Sequence, residues 1–313
     1  MQIYGAGMAG LLAGNVLRRF SPVIFEAQDQ LPNNHAALLR FRSDIASRAT
    51  NIPFKKVSVQ KLIDVGGEVF DRPNLKFTNM YSQKVTDKVM GRSINNLDPV
   101  ERYIAPPHFI GQMSEGLRIE YNSPMTKESL AALEGNSEPI ISTIPMNVMM
   151  KLADWPNMPE FKFNTIWSAW GRLEKPSTEV YQTVYYPDPD DPFYRVSITG
   201  DIVIAEYITE PTGNIGEELT AVLEQSFGIK AHGISDLQIK QQYYGKLLPI
   251  DDKERKEFII YLTDKYRIYS LGRFATWRQI LLDDIVDDVK IIEQMIEHRD
   301  DYSRKLLANG VRK

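Results

Sequence analysis

A glycine-rich stretch near the start of the chain has the spacing of a phosphate-binding turn. Residues 5–10 read GAGMAG and lie between a short apolar strand at 2–4 and an apolar helix. Gly5 permits a tight turn off the strand, Gly7 lets the backbone approach a pyrophosphate, and Gly10 permits close packing of the helix on the strand. The helix N-terminus adds free N–H groups and the positive end of the helix dipole. The sequence therefore predicts a dinucleotide site formed by Gly5, Ala6, Gly7, Met8, Ala9 and Gly10. A glycine-rich turn without a ligand is the alternative.

An acidic residue follows where the ribose of a dinucleotide would lie. The segment VIFEA at 23–27 reads as a second buried strand, and Glu26 ends it, sixteen residues after Gly10. A carboxylate at this position accepts a hydrogen bond from a ribose hydroxyl and disfavours a 2′-phosphate, because two anions would meet. We predict that Glu26 and its neighbour Ala27 contact the cofactor. NAD and FAD share this pattern, so the pattern alone does not choose between them.

The composition excludes several other kinds of catalytic site. The chain contains no cysteine, which removes disulfides, thiolate nucleophiles and iron–sulfur clusters. The four histidines, His35, His108, His232 and His298, are far apart and form no i,i+4 pair, so no metal site is expected. No G-x-S-x-G motif occurs. We therefore expect an organic cofactor to supply the chemistry.

Size and charge set the general class of the protein. With 313 residues the chain exceeds the usual range for one compact core, and its net charge of −4 does not support binding to nucleic acid through bulk charge. No apolar run is long enough to span a membrane, and the chain begins directly with a strand, which leaves no room for a signal peptide. The expectation is a cytoplasmic protein; the sequence predicts no oligomeric state.

The pattern of elements predicts an α/β fold with an inserted lobe. The first 27 residues read as strand, turn, helix and strand, and the segment 138–152 reads as a buried strand that breaks at Pro145. Residues 252–266 read as a helix, and a long amphipathic helix follows from about 282. Between them, residues 161–210 alternate like antiparallel strands joined by turns rich in proline and aspartate.

These patterns predict a discontinuous nucleotide-binding domain built from both ends of the chain. We assign 1–53, 126–155 and 245–313 to this domain. The remaining segments, 54–125 and 156–244, are assigned to an antiparallel, β-rich substrate lobe.

A second motif lies near the other end of the chain. The stretch IYSLGRFATWRQILLDD at 268–284 resembles the C-terminal strand, Gly-Arg turn and helix of the FAD-dependent amine oxidase, protoporphyrinogen oxidase and UDP-galactopyranose mutase superfamily. The matching positions are Gly272, Arg273, Thr276, Trp277, Arg278 and Asp283. The stretch IISTIPM at 140–146 resembles the superfamily's strand that returns to the cofactor, with Thr143 and Pro145 at its end.

This resemblance implies a Rossmann-like FAD-binding domain of the glutathione-reductase type, with the Gly-Arg turn beside the flavin. Trp277, where the mutases usually have tyrosine, and Arg273 are then the residues that face the flavin. The superfamily usually carries Gly-Gly and an arginine shortly after the ribose acid, whereas this chain has LPNNH at 31–35 and then Arg40 and Arg42. These two arginines are predicted to contact the cofactor phosphates. No histidine or cysteine stands at an obvious attachment site, so we expect FAD to be bound non-covalently.

Three functions remain open at this stage. The first is oxidation of a C–N bond by hydride removal from a carbon bearing an amine, in a pocket with aromatic walls. The second is a mutase-like reaction on a sugar nucleotide, with Arg172 and Arg195 of the lobe as a clamp for the diphosphate. The third is an FAD-binding module that catalyses no reaction.

A narrower resemblance points to one substrate. The chain is similar to flavoproteins of tailed bacteriophages in the segments HAALLRFRSD, DDKERKEF and IYSLGRFATWR. Some of these flavoproteins are linked to hypermodification of thymine bases. That resemblance implies a nucleotide or DNA-base substrate carrying an amino-acid adduct. The basic residues of the segment 40–61 would then meet phosphates.

Overall fold

The computed structural model of the chain describes residues 1–32, 39–89, 93–174 and 179–298. Within these residues fourteen strands form two sheets. The strands are β1 (Gln2–Tyr4), β2 (Val23–Phe25), β3 (Arg40–Phe41), β4 (Lys55–Val65), β5 (Glu68–Phe70), β6 (Val100–Ile104), β7 (Arg118–Glu120), β8 (Ile140–Ser142), β9 (Phe163–Leu173), β10 (Tyr181–Tyr185), β11 (Phe193–Thr199), β12 (Ile202–Tyr207), β13 (Ile234–Leu247) and β14 (Ile268–Ser270).

Helices cover the sheets. In the described part of the chain they are α1 (Met8–Val16), α2 (Ile45–Thr50), α3 (Leu75–Thr86), α4 (Phe109–Ser114), α5 (Lys127–Ala131), α6 (Met146–Leu152), α7 (Ile215–Phe227), α8 (Asp252–Tyr266) and α9 (Leu282–His298), with short 3₁₀ turns at Arg18–Phe20 and Ser93–Asn95.

The first sheet is parallel throughout and carries the glycine-rich turn. Its strand order is β14-β8-β1-β2-β7, with Ile3 of β1 opposite Ile24 of β2 and Ile141 of β8. These short strands are largely apolar, as expected for a sheet covered on both faces. Because β1 has neighbours from different parts of the chain on its two sides, the loops after β1, β2, β8 and β14 surround one crevice at the carboxyl edge.

The second sheet has one apolar face and one polar face. Its order is β13-β9-β12-β11-β10-β4-β6-β3, with β5 paired to β4. Neighbouring strands run antiparallel except β4 and β10, which are parallel. Helix α7 packs on the apolar face. The buried residues there include Val184, Val196, Ile198, Val203, Ala205, Leu219 and Leu223.

Most predicted elements are confirmed, and the segment after β8 shows the main local difference. The residues read as one strand over 138–152 form strand β8 and then helix α6. Pro145 precedes the helix with φ −54° and, having no N–H, loses nothing at a helix start. The methionines that follow favour a helix. Thr126 caps α5 by accepting from the N–H of Ser129.

Two strands lie in a different sheet from the one that the predicted domain boundaries imply. Strand β7, within the segment 54–125 assigned to the lobe, pairs with β2 in the parallel sheet through Ile119 and Ile24. Strand β3, within the segment 1–53, pairs with β6 in the second sheet through Arg40 and Ile104. The sequence has no local signal for the partners of these two strands, because pairing depends on long-range packing. The boundaries themselves stay a prediction, and residues 33–38 and 299–313 of the predicted cofactor domain lie outside the described residues.

One lysine closes the loop between β10 and β11. Lys84 of α3 directs its Nζ to the carbonyl oxygens of Tyr186, Asp188, Asp191 and Phe193, at 3.0, 2.5, 3.0 and 2.9 Å. Burial lowers the pKa of Lys84 to about 8. One ammonium group, with three N–H donors, therefore lies among four carbonyl oxygens of a turn rich in proline and aspartate and ties α3 to that turn.

We expect the substitution Lys84→Met to lower the free energy of unfolding by about 1–3 kcal/mol, because buried carbonyls lose their donor. Lys76→Met, on an exposed position of the same helix, should change it by less than about 0.5 kcal/mol. Urea denaturation followed by circular dichroism measures both. Equal stability of the two variants would show that the ammonium group does not hold the loop.

Candidate functional site

Most of the predicted cofactor residues come together at the carboxyl edge of the parallel sheet. The loop after β8 lies against the loop after β1, since Thr143 donates its N–H to the carbonyl of Tyr4 at 2.9 Å. The loop after β14 continues this contact, since Leu271 donates to the carbonyl of Ser142 at 2.9 Å. Pro145 follows in the same loop and leads into α6. Segments far apart in the sequence thus form one continuous rim.

Two glycines of the N-terminal turn are required by the fold itself. Gly5 has φ +99°, and a Cβ placed on it would lie 2.2 Å from Oγ1 of Thr143. A Cβ on Gly10 would lie 1.9 Å from the carbonyl oxygen of Gly5. Side chains at these positions would push the turn, the helix and the returning strand apart. Their presence is therefore explained by packing alone.

Gly7 is different, because no contact among the described residues requires a glycine there. Its φ of −70° and ψ of 179° are open to any residue, and a Cβ would meet no atom within 4 Å. Gly7 precedes α1, and no side chain caps this helix end. Its first residues, Met8 and Ala9, are half-buried. Free N–H groups with open space before them fit an approaching pyrophosphate, so this turn fits a dinucleotide.

The carboxylate of Glu26 is fixed beside this turn. It is 5% exposed, and it accepts hydrogen bonds from the N–H groups of Ala6 at 2.6 Å and Gln28 at 3.0 Å. An ionised carboxylate offers about four lone-pair positions, so two bonds leave capacity for a ribose hydroxyl. Ala27 lies exposed next to it. The position predicted for the ribose acid is thus rigid and placed against the glycine-rich turn.

The Gly-Arg turn after β14 packs directly on the first helix. Gly272 has φ +93°, and a Cβ on it would lie 2.9 Å from the Cβ of Ala9. Thr276 is fully buried and donates both its N–H and its hydroxyl to the carbonyl of Gly272, at 3.0 and 2.7 Å. The two motifs that the sequence places near opposite ends of the chain therefore meet.

Arg273 has a buried donor with no partner. Its Nη2 donates to the carbonyl of Gly245 at 3.1 Å, whereas its Nε is buried and makes no hydrogen bond within the described residues. Burial lowers the pKa of Arg273. A buried N–H without an acceptor is costly and uncommon, so this nitrogen fits a site where a ligand supplies the acceptor.

Trp277 lies in an aromatic cluster of the core. Its side chain is 4% exposed, its Nε1 donates to the carbonyl of Leu248 at 2.9 Å, and its ring lies 4.6 Å from that of Phe161 and 5.9 Å from that of Tyr244. These contacts explain why a large aromatic residue stands here. The idea that Trp277 also faces the flavin stays a prediction.

The structure places Arg42 against helix α9. Its guanidinium bonds Asp284 at 2.5 Å, and its backbone N–H donates to Asp283 at 3.1 Å. The hydroxyl of Ser43 also donates to Asp283, at 2.9 Å. These bonds tie the chain after β3 to the start of α9. A contact of Arg42 with cofactor phosphates stays a prediction.

The two arginines predicted as a diphosphate clamp have different surroundings. Arg172 forms an ion pair with Asp201, and both side chains are more than two-fifths exposed. Arg195 pairs with the buried Glu206, which also accepts from the hydroxyl of Tyr194 at 3.0 Å. Burial opposes both charges, but each charge stabilises the other: Glu206 raises the pKa of Arg195, and Arg195 lowers that of Glu206.

Arg195 belongs to a polar face of the second sheet. This face carries the buried hydroxyls of Ser168, Thr183, Ser197 and Thr199. Arg40, predicted to contact cofactor phosphates, also lies here, with its guanidinium on Thr183 and Thr199.

The polar face adjoins the Gly-Arg turn. Gly245, the acceptor for Arg273, precedes Lys246, whose Nζ lies 5.3 Å from the ring centre of Tyr194. The crevice therefore has the cofactor loops on one side and a charged sheet face on the other.

Glu206 and Lys246 were missed by the sequence reasoning. A signal for Glu206 was present, because it is the single charged residue of the apolar strand IVIAEY at 202–207, and a buried charge needs a partner. Lys246 has no comparable signal. Several aromatic residues of the lobe are core residues, including Tyr185, Tyr186, Phe193 and Tyr194.

Two further features complete the description. No helix of the described residues is long and apolar enough to cross a membrane. Across residues 1–32, 39–89, 93–174 and 179–298, no three histidine, aspartate or glutamate side chains are grouped as metal ligands would be.

Comparison with known proteins gives a fold relationship. No protein-family model matches the chain, and no curated protein matches it. Among solved structures, the chain is similar to the crystal structure of reduced UDP-galactopyranose mutase, with a TM-score of 0.65 and 13% sequence identity over 98% of this chain and 97% of that chain. A flavoprotein/dehydrogenase from Cytophaga hutchinsonii gives a TM-score of 0.49 and 13% identity over 95% and 78% of the two chains. No comparison supports the resemblance to phage flavoproteins or a link to thymine hypermodification. The chain has the α/β fold of the mutase.

Proposed function

We propose that the chain is an enzyme that binds FAD non-covalently at the carboxyl edge of its parallel sheet. The observation that carries this proposal is Gly7, where packing requires no glycine and an uncapped helix end faces open space. A side chain there would fill the space that a pyrophosphate needs. The fold shared with a mutase of the superfamily identified from the sequence supports the same assignment.

Each part of the cofactor has residues suited to it. The N–H groups at the start of α1 hold the pyrophosphate, Glu26 accepts from the ribose, and Arg273 with its unpaired Nε lies toward the isoalloxazine end. When bound, the flavin supplies redox chemistry by taking up the electrons of a C–H bond next to nitrogen. The protein's part is to orient the substrate and exclude water.

The reaction that we propose first is oxidation of a C–N bond in an amine or amino-acid adduct, which includes an adduct carried on a thymine base of phage DNA. A mutase-like reaction on a sugar nucleotide is the second candidate, because the fold relationship spans nearly the whole of both chains. A module that binds FAD without catalysis is the third. We further propose that the protein acts in the cytoplasm, that of a bacterial host if a phage encodes it.

An absorbance spectrum of the purified protein tests the cofactor. We expect flavin bands that disappear from the protein after denaturation and filtration, because the cofactor is not covalently attached. Absence of these bands, with no recovery after addition of FAD, would rule the proposal out.

Anaerobic titration then separates the three functions. Bleaching by an amine or by an aminoacylated thymidine supports C–N oxidation. Conversion of UDP-galactose by the chemically reduced protein supports the mutase reaction. If the flavin stays oxidised with every amine and the sugar nucleotide is not converted, the result supports the third function, an FAD-binding module without catalysis.

A further inference from the structure

Trp277 has a backbone conformation that its residue type disfavours. Its φ is +47°, in the left-handed region, where a bulky side chain crowds the backbone. Within the described ranges, the other non-glycine residues at positive φ are serine, asparagine, aspartate and arginine, and none of them is aromatic. The N–H of Arg278 donates to the carbonyl of Arg273 at 3.1 Å and closes a turn in which glycine is usual at the position of Trp277. The aromatic packing of Trp277 explains its large ring but not its strained backbone.

Surrounding side chains hold this strained turn in place. Arg255 of α8 donates from Nη1 to the carbonyl of Thr276 at 3.3 Å, and Arg278 donates from Nε to the hydroxyl of Thr276 at 3.1 Å. Arg278 also forms a buried ion pair with Asp288 of α9. Backbone strain persists only where the surrounding structure fixes it, and it is concentrated at functional sites. Two helices therefore maintain a conformation that Trp277 alone would not adopt.

The turn holds the end of the longest strand of the second sheet. We call residues 244–248, the last residues of β13 and the one after it, the strand end. Three side chains of the turn donate hydrogen bonds to its backbone carbonyls. The pairs are Arg273 with Gly245 at 3.1 Å, Gln279 with Leu247, and Trp277 with Leu248 at 2.9 Å.

Two of the segments that connect the sheets meet at Trp277. One runs from α6 to β9, and its Phe161 ring lies 4.6 Å from the ring of Trp277. The other runs from β13 to α8 and contains Leu248, the acceptor for Trp277. The N–H of Leu248 donates to the carbonyl of Lys162 at 2.9 Å, so the two segments are tied together at this point. Trp277 thus contacts the place where the second sheet joins the parallel sheet.

The other end of the same turn lies at the proposed cofactor site. Gly272 packs on Ala9, the second residue of α1, and Arg273 keeps its buried Nε without a partner among the described residues. A ligand that accepts from this nitrogen restrains the guanidinium group that already holds Gly245. A single strained turn therefore connects the cofactor site with the strand end.

We propose that Trp277 is a positioning residue that couples occupancy of the cofactor site to the placement of the strand end. Bound FAD favours the strained turn, whose donors then hold the carbonyls of the strand end. Loss of FAD shifts the turn toward a relaxed form in which the indole leaves Leu248. The strand end carries Lys246, between the Gly-Arg turn and the polar face, so the cofactor completes this part of the crevice. The inference rests on the proposed function, because FAD is the ligand that it couples.

Hydrogen exchange, followed by mass spectrometry with and without saturating FAD, tests the coupling. In the wild type we expect FAD to slow exchange about tenfold in peptides that cover 243–250, a usual size for coupling between two sites. A peptide that covers Ile202–Tyr207, inside the same sheet, should not change. Trp277→Phe keeps an aromatic ring but removes the indole donor. In this variant FAD should slow exchange of the strand end by less than about twofold, and because coupling is reciprocal the affinity for FAD should fall by up to about tenfold.

Two further variants make the result decisive. Trp155→Phe is the matched control, because the Nε1 of Trp155 makes no hydrogen bond within the described residues, and it should behave as wild type. Gln279→Leu removes an exposed donor to the strand end, so it should reduce the effect of FAD by a smaller factor even if Trp277→Phe does not fold.

The outcomes separate this proposal from the proposed function. The coupling is overturned if the wild type binds FAD with no change at the strand end, or if FAD slows exchange in Trp277→Phe or Gln279→Leu as strongly as in the wild type. A wild type that takes up no FAD contradicts the proposed function instead. Exchange without FAD then still decides whether Trp277 positions the strand end, since Trp277→Phe should exchange faster than wild type there and equally at Ile202–Tyr207.

Discussion

The substitution Gly7→Val should leave the protein folded and strongly weaken its binding of FAD. A Cβ at this position meets no atom within 4 Å, and the backbone angles suit any residue, so the expected loss of stability is about 1 kcal/mol at most, from a poorer helix cap. The valine would occupy the space before the N–H groups of α1 and keep a pyrophosphate away from them. We expect the affinity for FAD to fall about a hundredfold, since charged hydrogen bonds to those groups are lost.

Flavin fluorescence titration and thermal unfolding measure the two effects separately. Gly10→Ala should behave differently from Gly7→Val. The Cβ of an alanine at position 10 would lie 1.9 Å from the carbonyl oxygen of Gly5, so folding and FAD binding should fail together. Gly111→Val, at an open position of α4, is the matched control and should bind FAD normally. If Gly7→Val binds FAD as tightly as wild type, the turn is not the pyrophosphate site.

The substitution Glu206→Ala should lower the free energy of unfolding by about 3–5 kcal/mol, because Arg195 is left as an unpaired, partly buried charge. The hydroxyl of Tyr194 loses its acceptor as well. Replacing both partners, with Glu206→Leu and Arg195→Met, should restore most of the stability, since neither member of the pair is left as an unpaired charge. Urea denaturation measures the free energies. A double variant as unstable as Glu206→Ala would show that the ion pair is not the cause.

The same ion pair gives stability a defined dependence on pH. Although burial opposes its charge, Arg195 lowers the pKa of Glu206 below the ordinary value of 4.5. The contribution of the pair is therefore complete above about pH 4.5 and is lost as the pH falls through the lower value in the folded protein. Glu206→Gln removes this carboxylate. Its stability should fall less steeply with acid than that of the wild type.

Much of the candidate cofactor site could be predicted because its signals are local. Glycine spacing, a helix start and an acid at a strand end are properties of neighbouring residues, and the structure places Gly5, Gly10 and Glu26 in contact with one turn. The resemblance in the segment 268–284 then brought Gly272 and Arg273 to the same place. These residues are close in space because parallel strands end at one edge of a sheet.

The polar face could not be predicted, because its partners are distant in the sequence. Arg40 reaches Thr183 and Thr199, which belong to other strands, and this contact depends on how β3, β4 and β10 are ordered in the sheet. Strand β7 is another example, since three residues of alternating pattern fit the edge of either sheet. Partner choice is decided by the packing of the whole chain, which no local pattern describes.

The contact between Gly272 and Ala9 has a consequence for the order of synthesis. The glycine-rich turn leaves the ribosome before the Gly-Arg turn that packs on it, which follows more than 260 residues later. At about 5–20 residues per second, translation separates the two by roughly 10–50 s. During this interval β8 has no β14 beside it, and the start of α1 lacks the loop that covers it. If FAD binds at this site as proposed, we expect it to be held securely only after the Gly-Arg turn has been made, so that its loading follows the synthesis of both turns.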